Sequence, residues 1–198
     1  MIASNRSDLE RVFSEMNLYR AWEHVQRKKG APGPDGMTVA EFERHRTELL
    51  ADLGQDVRNG RFVPGPLTSF LKSDGRRELC IPSLRDRIAS RCLADNLNRR
   101  YEPVQHPDSF AYRPGKGVLS ALNRAESLGR GHGHVLHLDI ARYFDAIPHS
   151  RLHGLLLEWD CPVVLAELAL DFVKAPRIRR RFVDTPEVGI PQGSPLAP

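Results

Sequence analysis

HVLHLDIARYFDAI, residues 134 to 147, is an apolar run that ends on one aspartate, Asp139, six positions before a second, Asp145, which follows the aromatic pair Tyr143 and Phe144. The pattern from Val135 to Ile140 predicts a strand, and an ionised carboxylate at the end of a buried strand is costly unless it is paired or bound to a metal ion. On the residues alone two readings of Asp139 stay open: ligation of a cation, or capping of the turn that follows.

Downstream of this stretch, helical patterns cover roughly His149 to Glu158 and Val163 to Val173, and RIRRRFVDTPEVGIPQG reads as two strands around a turn. Upstream lie the Gly/His loop GRGHGH, a helix from about Val118 to Leu128, and a helix from about Ser83 to Tyr101 carrying Arg85, Arg87, Arg91, Arg99 and Arg100. Branched residues on both sides of SDG in FVPGPLTSFLKSDGRRELCIPSLRDR predict a hairpin with cations at its tip. Thr38 and Glu41 have the spacing of a capping box and open a further helix that RNG stops. Before them, RKKGAPGPDG has Pro or Gly at five of the seven positions 30 to 36 and reads as an ordered turn. A first helix is predicted from about Asp8 to Lys29, with Leu9, Val12, Phe13, Met16, Trp22 and Val25 near helical spacing. Helices and hairpins without a regular βαβ rhythm predict an α+β fold. The expected divisions are an N-terminal helix and turn over 1–36, a second unit over 37–130 and a third over 131–198.

The 198 residues suffice for one large core or two small ones, and 40% hydrophobic with 27% charged residues excludes a disordered or fibrous chain. Lys and Arg number 29 against 25 Asp and Glu, and the pI near 9.2 makes polyanions plausible partners. Cys80, Cys92 and Cys161 have no CxxC spacing, which argues against a disulfide framework or thiolate zinc site and fits a reducing cytoplasm. Arg6, Asp8 and Glu10 interrupt any apolar leader, so a cytoplasmic location is expected. RPGKG lacks the full GxxxxGK[ST] phosphate cradle. The histidines at 132, 134, 137, 149 and 153 lack a convincing carboxylate or thiolate to complete a zinc site.

Four segments, in this order, resemble the reverse transcriptases of bacterial retroelements, closest to the group II intron lineage: KGAPGPDGMTVAEF; SDGRRELCIPSLRDR; DSFAYRPGKG with LDIARYFDAIPH; and GIPQGSPLAP. The resemblance spans roughly residues 29 to 198. It implies the fingers and part of the palm of a right-hand polymerase, with helices packed on antiparallel hairpins. The implied activity is RNA-directed DNA polymerisation by two-metal nucleotidyl transfer, with Mg²⁺ as cofactor and an RNA template, a DNA or RNA primer and deoxynucleoside triphosphates as partners.

In the family, the aspartate matching Asp139 is the catalytic ligand of both metals, and the carbonyl matching that of Ile140 completes the nucleotide-side site. Phe144 matches an aromatic that abuts the sugar 2′ position. Lys72 and Arg77 match triphosphate contacts at the hairpin tip, and because this loop is one residue shorter than the common group II form, Arg76 is an alternative to Arg77. Gln192 matches the glutamine at the floor of the nucleotide pocket, and Gly193 allows close backbone approach. Arg85, Arg87, Arg91 and Arg113, and the run Arg177, Arg179, Arg180 and Arg181, are candidates for contacts to template phosphates.

One departure bears on activity. In the family, PQGSPLAP leads to a hairpin with adjacent aspartates in a Y/F-x-D-D turn, and no Asp-Asp pair occurs in this sequence. The expectation is an N-terminal fragment, without the second catalytic motif and thumb, that is inactive alone. The alternative is a short non-catalytic protein that binds nucleic acid or a partner chain.

Overall fold

The computed structural model describes residues 2–71, 78–179 and 182–196. The apolar repeat near the N-terminus is divided between two helices, α1 (Ile2–Val12) and α2 (Glu15–Lys28), rather than forming the single helix expected. The division has a local cause. Ser14 takes an extended conformation and its hydroxyl caps the Asn17 amide, while the Asn17 side-chain amide donates to the carbonyls of Arg11 and Val12 at 3.1 Å each. The next helical pattern is likewise two pieces, α3 (Val39–Arg44) and α4 (Arg46–Arg58), and the Thr38–Glu41 capping box forms in full.

The hairpin strands are β1 (Leu67–Leu71) and β2 (Glu78–Ile81), and its tip, 72–77, lies outside the described residues. The long helix α5 (Leu84–Tyr101) follows. Then come α6 (Val118–Gly129), the four-residue α7 (Tyr143–Ala146), α8 (His149–Glu158), α9 (Val163–Lys174), β3 (Arg177–Arg179) and β4 (Phe182–Asp184). The strands make one mixed sheet in the order β2-β1-β3-β4, with β1 and β3 parallel and the other neighbours antiparallel. The fold class is α+β, as predicted.

Helix α5 is the axis of the core. Ile88, Ala89, Cys92 and Leu93 are buried along it, and α1, α2 and α9 pack around it. Trp22 of α2 stacks on Phe42 of α3 with ring centroids 4.4 Å apart, and its indole N–H donates to Glu43. Cys80, Cys92 and Cys161 are all buried free thiols.

The strand predicted over Val135 to Ile140 does not form. That stretch carries no ladder hydrogen bonds, and Val135 and Leu138 are 88% and 78% exposed. A strand is defined by a partner, and the four described strands make their sheet from other parts of the chain. From Glu102 to Pro148 no residue is buried, and α6 leaves Val118, Leu119 and Leu122 exposed.

Candidate nucleotide and nucleic-acid site

Two segments far apart in sequence are tied together beside Phe144. The chain leaves the exposed 134–140 stretch through Arg142, in the left-handed region at φ 52°, and turns into α7. The Ile190 amide donates to the Phe144 carbonyl at 2.7 Å, the Gly189 amide to the Ile147 carbonyl at 2.8 Å, and Pro148 bridges Val188. Nε2 of buried His149 donates to the Gly189 carbonyl at 2.8 Å, which fixes the ring nitrogen that bears the proton. Gly189 has φ +86°, and a Cβ there would fall 2.9 Å from the Asp145 carbonyl oxygen, so only glycine allows this closeness. The Cys80 amide of β2 donates to the Gln192 carbonyl at 3.3 Å. GIPQG therefore bridges the 144–149 turn and the edge of the hairpin.

A cleft of about 390 Å³ opens where β2, α2 and α5 meet, and His24, Lys28, Arg87, Arg91, Ile81 and Gly193 line it. It gathers three sequence-predicted residues, Arg87, Arg91 and Gly193, and adds His24 and Lys28. Burial, with the positive charges of Arg91 and Lys28, pushes the His24 imidazole below its usual range, so its neutral form is favoured. For the two added residues the sequence trace is the basic end of α2, RKK, which includes Lys28 but not His24.

The glycine-rich loop is pressed against the start of α5. A Cβ on Gly33 would lie 2.5 Å from the Pro82 carbonyl oxygen and 2.6 Å from Ser83 Cα. Arg87 clamps the contact, donating from Nε to the Pro82 carbonyl at 3.0 Å and from its terminus to the Ala31 carbonyl. Asp86 accepts from the Gly65 amide at 3.2 Å, and burial pushes its carboxyl above the usual range.

Other predicted contacts have partners of their own. Arg85 pairs with Asp56 and lies 5.6 Å over the Phe62 ring. Arg91 pairs with Asp95 at 2.6 Å. Arg113, with its side chain 7% exposed, donates to Glu102 at 2.8 Å and to the carbonyls of His106 and Ser109, stapling the loop before α6. Arg177 and Arg179 face Glu78. Lys72, Arg76, Arg77, Arg180 and Arg181 lie outside the described residues.

Asp139 and Ile140 are exposed in the unpaired stretch, so burial does not explain the carboxylate's position. A carboxylate and a carbonyl are the hard oxygen donors that Mg²⁺ takes, but one carboxylate is short of a two-ion set. Among the described residues no group of three or more His, Cys, Asp or Glu stands ready to hold a metal.

Residues 70–198 match the model of the reverse transcriptase (RNA-dependent DNA polymerase) family. The chain belongs to this family. Its relatives place it in the group II intron-like lineage: it is 26% identical over 207 aligned positions to the group II intron-encoded protein LtrA of Lactococcus lactis, covering 98% of this chain and 34% of LtrA. It is 28% identical over 180 positions to protein YkfC of Escherichia coli K12, covering 86% of this chain and 47% of YkfC. An uncharacterized 91 kDa protein in the cob intron of Schizosaccharomyces pombe is 30% identical over 165 positions, 83% of this chain and 20% of that protein. The chain thus spans less than half the length of each. Among solved structures, a chain of the "Partial Cas6-RT-Cas1--Cas2 complex" superposes with a TM-score of 0.65 over 96% of this chain and 32% of that one, at 22% identity, a likeness of fold. No helix among the described residues is long and apolar enough to cross a membrane.

Proposed function

We propose that this chain forms the fingers and the first part of the palm of an RNA-directed DNA polymerase of a bacterial retroelement. The observation that carries this reading is the junction of FDAIPH with GIPQG, two of the quoted motifs held side by side by backbone hydrogen bonds within the region that matches the family. Phe144 lies against the nucleotide sugar, where a ring excludes a ribose 2′ hydroxyl. Gln192 and Gly193 floor the pocket, and Lys72 with Arg76 or Arg77 supplies charge-assisted hydrogen bonds to the triphosphate. Arg85, Arg87, Arg91 and Arg113 lie along the template path. Arg87 and Arg113 serve there chiefly by holding the loops that shape it, since their donors are already engaged.

Mg²⁺ bound at Asp139 and the Ile140 carbonyl would acidify the primer 3′ hydroxyl and stabilise the leaving pyrophosphate. Asp139 is the one metal carboxylate that the matched family motifs supply, and no Asp-Asp pair occurs in the sequence, so primer extension by this segment alone is expected to fail. The test is extension of a primer on RNA with Mg²⁺ and deoxynucleotides, using this chain and a version continued through its downstream reading frame, each with and without Asp139→Ala. Extension by the continued wild type alone supports the reading, and activity that survives Asp139→Ala sinks it. The isolation and exposure of Asp139 favour a second reading, RNA binding without catalysis, and RNA binding by both forms with extension by neither would establish it.

A further inference from the structure

We infer that the cleft between α2, the C-terminal half of α5 and the loop that precedes α6 holds unpaired RNA, with phosphates on Arg20 and Arg99 and a base stacked on Tyr112. This rests on the polymerase reading and extends it to Arg20 and Arg99, which lie outside the quoted motifs, and to Tyr112, which lies within DSFAYRPGKG but was given no role there. The cleft has a volume of about 610 Å³, within the range of ligand sites. Arg20 and Asn17 line it from α2, Asn98 and Arg99 from α5, and Tyr112 from the loop.

Its charge is unbalanced. The two carboxylates in its wall, Asp95 and Glu102, are paired with Arg91 at 2.6 Å and Arg113 at 2.8 Å. Arg20 and Arg99 are exposed and form no ion pair among the described residues. Arg99 is already directed along the wall, donating from Nε to the Asp95 carbonyl at 3.1 Å. Tyr112 lines the same cleft, 73% exposed and at φ 57°, a conformation few tyrosines adopt. The neighbouring Arg113 staple, hydrogen-bonded to Glu102, His106 and Ser109, holds the backbone that presents the ring.

Cations beside an open aromatic face are the elements that bind single strands without reading sequence: the charges follow the backbone, and any base stacks on the ring. Bases in a duplex have their faces covered, so the ring selects unpaired nucleotides. An acidic peptide would use the arginines and leave the ring idle. Arg91 lines both this cleft and the 390 Å³ cleft that reaches Gly193, so one strand can run from one to the other.

The experiment is fluorescence anisotropy of the 198-residue chain with a dye-labelled, mixed-sequence single-stranded RNA across a KCl series. Three variants accompany the wild type: Arg20→Ala with Arg99→Ala, Tyr112→Ala, and Tyr112→Phe. Losing two phosphate contacts should flatten the slope of log K against log salt by about 1.4. Tyr112→Ala should weaken binding roughly tenfold with the slope unchanged, and Tyr112→Phe should bind as the wild type does. The altered side chains are exposed, and matching urea midpoints confirm that the variants fold. Wild-type affinity and slope in every variant overturn the inference, as does a wild type that fails to bind RNA or that yields RNA to a polyglutamate competitor. Primer extension by the version continued through the downstream reading frame judges the polymerase reading separately: extension there with RNA binding unaffected by the cleft variants removes only the cleft, and cleft effects on binding without extension by the continued version remove only the polymerase.

Discussion

Gly33 meets backbone on its open side, and backbone cannot rotate away as a side-chain tip can. Gly33→Ala should therefore push the loop off Pro82 and Ser83 at a cost of about 1–3 kcal/mol, read as a lower urea midpoint. Gly133, with open space around it, is the control, and its alanine variant should stay within about 0.5 kcal/mol of wild type. Glu78 gives a pH signature. Burial opposes its ionisation, yet the hydrogen bond from Ser69 and the pairing with Arg179 outweigh that and hold its carboxyl below the usual 4.5. A depressed folded value means that its stabilisation is fully present above the unfolded value and is lost as pH falls through the lower folded one. Urea midpoints should drop on acidification in that window, and Glu78→Gln should make the drop shallower. These roles were not legible in the sequence. Glu78 sits in SDGRREL like any turn charge, and the partners of Arg87 are carbonyls, and those of Arg113 carbonyls and the Glu102 carboxylate, that no spacing rule locates.

Elements were legible where their signals are local. The Thr38–Glu41 box formed as its spacing implied, the residues around SDG gave β1 and β2, and α5, α6, α8 and α9 fall within a residue or so of their apolar patterns. The break at Ser14 was hidden because the hydrophobic period runs on from Val12 and Phe13 towards Leu18 while the backbone changes course. Ser14→Ala removes the cap of α2 and should cost about 1 kcal/mol, and Asn17→Ala, which leaves that cap in place but frees the carbonyls of Arg11 and Val12 at the end of α1, should cost about as much. Thermal melts of the two single variants would measure this. The strand expected over 135–140 illustrates the converse: β-propensity marks a stretch suited to pairing, but the partner decides whether a ladder exists.

At the scale of the whole molecule, burial is uneven. Helices α1, α2, α5 and α9 share a core, whereas nothing from Glu102 to Pro148 is buried. Hydrogen exchange should therefore be slowest in α5 and close to unstructured rates across 131–142; strong protection in that stretch would show a packing partner that the fold described here does not supply. The order of helical and hairpin patterns indicated an α+β protein and composition a basic balance, but neither could distribute the core, because that depends on which faces meet. The cysteines follow the same uneven distribution. All three are buried, and burial pushes their thiols up, that of Cys92 to about 12. Thiol-directed reagents attack thiolates, so at neutral pH the native chain should resist maleimide while unfolded chain reacts. The protein is thus a ready background for site-specific labelling: Leu138→Cys would place one reactive handle beside Asp139, and a crosslinker or spin label there would report what this exposed stretch meets when RNA is added.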